Sequence, residues 1–262
     1  MIHRKVASPG AFALFALLFV LTSFGFASSV WAQTVAGSIT AISGSATITR
    51  AGATIPAVYG TKIDVGDRIV TAAASSVTIT LTDNSQIEVT DSSTLTVDEN
   101  TLNASGVRAS TKLSLLTGLV RSLVTTTPGT PPNFEVHTPN AVASARGTYY
   151  DVDHETGAHD KKFKDCTEFT HVAVYKGNVD VYNPTNPSAP QVNVKEGQKV
   201  TIPCGGAPVF GAGGLSAAEW GAIGVLGAAG AGAGAVIGLG AAGEFGNNHH
   251  HHTTTTPMTA DE

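Results

Sequence analysis

Positive charge runs out early in this sequence. No lysine or arginine follows Lys199, and the whole chain holds only 15 basic against 20 acidic residues, for a net charge of −5. So few cations argue against nucleic acid as a partner, because phosphate contact needs clustered Lys and Arg. Cysteine is almost absent. Cys166 and Cys204 are the two in the chain, and their spacing lacks the paired ligands of a zinc motif. Nucleophile signatures are missing too: there is no Gly-x-Ser-x-Gly elbow and no His placed by a catalytic motif. Paired glycosidase-type carboxylates leave no spacing rule in sequence, so these absences alone point away from an enzyme without deciding the matter.

Long apolar runs are confined to the first residues and to a Gly/Ala stretch near the end. His3, Arg4 and Lys5 precede an apolar run from Ala11 to Phe26, and small residues lead to Val30-Trp31-Ala32. This order predicts a secretory signal, residues 1–32, cut after Ala32, with an uncleaved membrane anchor as the alternative. The remaining chain would keep all 20 acidic and 13 of the 15 basic residues, a charge of −7. In an exported protein, an isolated pair of cysteines most often forms one disulfide, here Cys166 with Cys204. Closing that loop would stabilise the fold by at most about 4 kcal/mol in the chain-entropy picture.

Composition divides the chain beyond the signal into a domain at 33–204 and a low-complexity tail at 205–262. The domain alternates apolar and polar positions. In SSVTITLTDNSQIEVTDSSTLTV, residues Val77, Ile79 and Leu81 face one way and Thr78, Thr80 and Thr82 the other. Asp83-Asn84 turns the chain, and Ile87 and Val89, then Leu95 and Val97, resume the pattern. Period two with β-branched residues and Asn/Asp/Ser punctuation predicts strands with one buried face. A weak repeat lies beneath: Gly44, Gly118 and Gly177 each separate two apolar alternations, and DVGDRIVT parallels VKEGQKVTI at Gly66 and Gly197. Glycine at such corners supplies the positive φ of a reversal or bulge. The predicted fold is all-β, a β-solenoid-like or rolled β-sandwich domain, and the pattern alone does not choose between the two.

The ordered series GSITAISGSATITRAG, GTKIDVGDRIVTAAASSVTITLTDNSQIEV, LSLLTGLVRSL, FEVHTPNAVASARGTYYDV and VAVYKGNVDVY … VKEGQKVTI resembles the FecR-domain family over most of residues 37–202. Its most specific steps are Gly66-Asp67 … Thr71 and Thr138-Pro139 … Arg146-Gly147-Thr148. The resemblance implies a solenoid-like all-β envelope domain with no enzymatic activity and no cofactor. Well-known members of that family are inner-membrane regulators that relay occupancy of a TonB-dependent receptor to a sigma factor. They carry a cytoplasmic sigma-binding segment and one membrane span, whereas an export signal is expected here, so the resemblance extends to the domain and not to the circuit.

At the Arg-Gly-Thr step, Ala141, Val142, Ala143 and Ala145 read as a strand or corner, with Tyr150 and Val152 re-entering the core. Arg146 then pairs with a carboxylate or caps carbonyls, or alternatively is held for an anionic ligand. Asp151, Asp153, His154 and His159 form the densest set of possible metal ligands, yet no loop spacing of a known metal motif is present, and a solvated polar loop is the simpler account. The expectation is therefore no metal.

In the tail, residues 220–243 are uncharged, with nine Gly and eight Ala. As a helix they would reach about 36 Å, long enough for a bilayer core of about 30 Å, but with few strong membrane residues and no basic flank. Gly230, Gly234 and Gly238 form a small-xxx-small ladder, so membrane association or self-association through 220–243 stands beside a flexible linker. His249 to His252 would bind divalent metal only loosely, as part of a polar tail. Taken together, the sequence predicts an exported, non-catalytic envelope module, in the periplasm or at the cell surface, that binds a protein partner or ligand. The alternative is a structural or adhesive protein that holds polysaccharide or peptidoglycan.

Overall fold

The computed structural model describes residues 34–126, 133–158, 160, 162–211 and 215. The expected signal at 1–32, His159, the tail segment 220–243 and His249 to His252 lie outside the described residues. Seventeen strands and no helix occur among the described residues, and none of the described residues forms a helix long and apolar enough to cross a membrane.

The ladders sort the strands into two sheets. In the front sheet the lateral order is β4 (Lys62–Asp64), β1 (Val35–Ser43), β6 (Ser76–Leu81), β7 (Gln86–Val89), the second half of β9 (Arg108–Leu123), β12 (Tyr149–Thr156), β13 (Glu168–Lys176), β16 (Lys199–Pro203) and β17 (Val209–Phe210). In the back sheet it is β3 (Ala53–Pro56), β2 (Ala46–Arg50), β5 (Arg68–Thr71), β8 (Thr94–Leu102), the first half of β9, β10 (Phe134–His137), β11 (Val142–Ala145), β14 (Asn178–Tyr182) and β15 (Val192–Lys195). All these pairings are antiparallel except β9 with β10, which is parallel. Neither sheet closes, since β4, β17, β3 and β15 each pair on one side only within these ladders.

The two sheets share one apolar core. Ile39, Ile79 and Val172 of the front sheet and Ile48, Ile69 and Val136 of the back sheet belong to a single cluster and are all at most 1% exposed. Alternation explains why: β6 reads half-buried, buried, half-buried along its length, so Val77, Ile79 and Leu81 enter the core and the intervening threonines face outward. The chain passes between sheets at glycine corners. Gly44 leads from β1 to β2, Gly118 divides β9 between the sheets, Gly147 leads from β11 to β12, and Gly177 leads from β13 to β14, each with positive φ. The corners stack on one another, for a Cβ at Gly177 would meet the Gly147 carbonyl at 3.2 Å. The architecture is a rolled sandwich whose rungs stack in the manner of a solenoid, so it has features of both arrangements that the sequence pattern allowed.

Cys166 and Cys204 are bonded to one another, with Cα atoms 5.8 Å apart. The bridge ties the loop before β13 to the end of β16, where the Cys204 N–H also donates to the Glu168 carbonyl at 2.8 Å. Asn183 reaches the same corner and donates through Nδ2 to the carbonyls of Cys204 and Gly206.

Candidate functional site

The two family-like steps bury Asp67, Thr71, Thr138 and Thr148 and leave Gly66, Pro139 and Arg146 exposed. Asp67 is fully buried and accepts from Arg50 Nε at 2.8 Å, from Arg50 Nη2 at 2.6 Å and from the Asp64 N–H at 2.8 Å. Arg50 also pairs with Asp64 at 2.9 Å, so a two-point guanidinium contact fixes the turn between β4 and β5. Gly66, at φ +93°, opens that turn, and its N–H donates to the Val97 carbonyl at 2.7 Å. Thr71 ends β5; its hydroxyl donates to the Thr90 carbonyl and accepts the Ser93 N–H at 2.9 Å.

The second step does similar work. The Thr138 hydroxyl accepts the Ala141 N–H at 2.9 Å and lies 2.8 Å from the Thr170 hydroxyl. Thr148 donates to the Asn178 carbonyl at 3.0 Å, and Gly147, at φ +70°, packs against Thr126. Arg146 is exposed at this corner, and Ala141, Val142, Ala143 and Ala145 are buried as expected of a close-packed strand. Beneath Thr138 a buried polar cluster forms: Thr170 donates to Asn140 Oδ1, and His154 Nδ1 lies 3.0 Å from the Thr170 hydroxyl. Burial holds the His154 imidazole below its ordinary pKa despite Glu168 nearby.

Two outer surfaces carry groupings of polar side chains. On the outer face of the back sheet, Arg68, Thr96, Ser114 and His137 form one row across β5, β8, β9 and β10. They line a shallow groove of about 390 Å³ with Leu116 and Pro139 on its sides. Glu135 holds the His137 ring at 2.7 Å from Nε2.

The outer face of the front sheet is more densely built. Glu88, Arg121 and Asp151 are opposite one another on β7, β9 and β12. Arg121 donates to both oxygens of Asp151, from Nε and Nη2, each at 2.9 Å, and Tyr175 donates to Asp151 Oδ2 at 2.8 Å. Tyr149 and Tyr175 pack ring to ring at 5.1 Å with Ala173, Leu123 and Leu215 around them. In the next row Asp153 faces His171, which lies 2.9 Å from the Thr201 hydroxyl and 3.2 Å from Glu155.

Of the metal-ligand set named from sequence, Asp151, Asp153 and His154 are described and His159 lies outside the described residues. Residues 149–156 are strand, with Tyr150 and Val152 continuing the buried alternation. Asp151 and Asp153 therefore face outward while His154 faces the core. Asp151 is saturated by Arg121 and Tyr175, and no group of three or more His, Cys, Asp or Glu among the described residues could hold a metal ion.

Asp153 carries a pH signature. Burial pushes its carboxyl up to about 7, with Glu155 and Asp151 acting in the same direction and His171 opposing. Because the folded value lies above the ordinary value of 3.8, its contribution to stability is complete at the acid end and is lost as pH rises through about 7. Asp153→Asn, which cannot ionise, is expected to melt higher than the unaltered protein at pH 8 and to converge with it near pH 4, as followed by circular dichroism. A constant offset between the two across that range would overturn this assignment.

Several of these residues escape a reading by motif. Arg50, Glu88, Arg121, Tyr149 and Tyr175 sit in no recognisable pattern. Their outward parity on strands was available from alternation, but their partners lie 12 or more residues away and depend on ladder register.

Residues 67–180 match the FecR protein family. No curated protein sequence is detectably similar to the chain. Two crystal structures of a protein from Parabacteroides distasonis, assigned as an anti-sigma factor, resemble it with TM-score 0.42 and 16% identity. The similarity covers 56% of this chain and 60% of that one. The family match runs from the buried Asp67 to Asp180 on β14.

Proposed function

We propose that this protein is a non-catalytic recognition module of the cell envelope, exported by its N-terminal segment, whose FecR-family domain binds a protein partner in envelope signalling. The match of residues 67–180 to the family carries this reading. The geometry supports it, since Asp67, Thr71, Thr138 and Thr148 of the family-like steps bond within the fold and leave the outer sheet faces for contact. In this reading the domain spans 33–204 and the Gly/Ala-rich segment 220–243 attaches or assembles it.

Affinity capture with the full-length protein from envelope extracts tests the proposal. Recovery of one receptor or signalling protein is the expected result. Retention on cell-wall polysaccharide instead would replace signalling by an adhesive role, and turnover of a glycan would overturn the non-catalytic reading.

A further inference from the structure

The groove on the outer face of the back sheet is made by the path of β9. β10 ends at His137, opposite Ser114, and turns at Thr138-Pro139, so β9 has no ladder neighbour on that side from Leu115 until it joins the front sheet at Gly118. A bulge falls in the same place. Thr94 pairs with Thr117 but Leu95 with Leu115, which leaves Leu116 unpaired and 53% exposed, as bulges that re-aim a side chain do. Thr138 on the far wall is held by Ala141 and Thr170, so the opening is built from fixed parts. Its other polar groups are uncommitted: the side chains of Arg68, Thr94 and Thr96 have no hydrogen-bonding partner among the described residues.

Charge around the groove is close to balance. On the four strands that border it, Asp98, Glu99 and Glu135 stand against Arg68 and Lys112, with His137 beside them. Each carboxylate already has a partner: Asp98 accepts from Ser114 at 2.5 Å, Glu99 pairs with Lys112 at 3.2 Å, and Glu135 lies 2.7 Å from the His137 ring. An anion would meet Asp98 and Glu135 near Arg68, and a cation would meet Arg68 itself, so neither sign is selected. A neutral ligand that both donates and accepts is matched. Arg68 donates, the Thr94 and Thr96 hydroxyls do either, and the carboxylates keep free lone pairs. Leu116 and Pro139 give an apolar wall for C–H groups. Hydroxyls carried on an aliphatic ring have this mixture. The row from Arg68 to His137 crosses three strand intervals, about 14 Å, which is longer than one sugar ring.

We infer that the groove binds a neutral saccharide chain, with ring hydroxyls on Arg68, Thr94 and Thr96 and a ring face against Leu116 and Pro139. The saccharide is a second ligand, beyond the protein-partner reading above and independent of it.

Isothermal titration calorimetry of the full-length protein with chitotetraose, maltotetraose and tetragalacturonate tests the groove. At least one of the two neutral tetramers should bind, with Kd on the order of 1 mM or tighter. The tighter of the two tells an N-acetylated chain from a plain glucan, and anionic tetragalacturonate should bind more weakly than either that binds. Arg68→Ala should weaken binding of the tighter tetramer about tenfold or more, as loss of hydrogen bonds from a charged donor does. Lys62→Ala makes the same change of net charge on β4 of the front sheet and should leave binding within about twofold. Both side chains are exposed and without a partner among the described residues, so both variants should keep the circular dichroism spectrum of the unaltered protein. No binding of either neutral tetramer at about 10 mM, equal losses in the two variants, or tightest binding of tetragalacturonate would each overturn the site. Capture from envelope extracts keeps the two readings apart: a protein partner recovered while the neutral tetramers fail sinks the groove alone, whereas tetramer binding with no protein partner sinks the partner reading alone.

Discussion

Replacing Arg108 with alanine is expected to cost the fold about 3–5 kcal/mol, the range for breaking a buried ion pair and leaving one charge behind. The Arg108 side chain is 1% exposed. Its Nη1 donates to Asp83 and to Ser85 Oγ, Nη2 donates to the Thr125 carbonyl at 2.9 Å, and Nε donates to Asn133 Oδ1 at 2.9 Å. The guanidinium also lies 5.6 Å from the centre of the Phe134 ring. One side chain thus joins the β6–β7 turn, the start of β9, the chain that leaves β9 and the chain that enters β10. Without it the Asp83 carboxylate, itself 5% exposed, keeps only Ser85 as a partner among the described residues. Urea denaturation should show a lower midpoint at unchanged slope. A double change, Arg108→Met with Asp83→Leu, should cost less than Arg108→Ala alone, because no unpaired charge then remains. A midpoint unmoved by Arg108→Ala would show that the cluster is solvated and not a latch.

Alternation made much of the fold visible beforehand. The buried triplet Val77, Ile79 and Leu81, the turn at Asp83-Asn84 and the positive φ at Gly44, Gly118 and Gly177 are all read from residues a few places apart, and each is present. What period two cannot supply is the identity of a strand's neighbour. Asp151 and Arg121 meet across 30 residues, and the register that joins them is set beside irregularities such as the shift between Tyr149 and Tyr150. That is why a solenoid and a sandwich stayed equally open, and why the face holding Glu88, Arg121 and Tyr175 could not be assembled from the sequence. His154 went unplaced for a different reason. Its parity with Tyr150 and Val152 points it into the core, but a polar side chain followed by Glu and Gly reads as the beginning of a loop until Thr170 and Asn140 are seen to satisfy it.

Gly118→Ala should cost about 2–4 kcal/mol, the sum of a left-handed backbone penalty and overpacking. Gly118 has φ +85° at the corner where β9 passes from the back sheet to the front. A Cβ there would meet the Ser93 side chain and lie 2.7 Å from Ser93 Cα. Ser93 cannot retreat: it is fully buried, its N–H donates to Thr71 at 2.9 Å, and its Oγ takes the Leu119 N–H at 3.0 Å. The strain would therefore reach Thr71 of one family-like step and the long strand that both sheets share. Gly106 separates the two contributions. It has φ +74° in the hairpin between β8 and β9, and a Cβ there meets nothing within 4 Å, so Gly106→Ala should cost only the backbone part, about 1–2 kcal/mol. Adding Ser93→Gly to Gly118→Ala should not restore stability, because the clash with Ser93 Cα persists and the Leu119 N–H loses its acceptor. Equal urea midpoints for Gly118→Ala and Gly106→Ala would mean that the corners are not packed against one another, and the stacked column that turns two sheets into one domain would have to be abandoned.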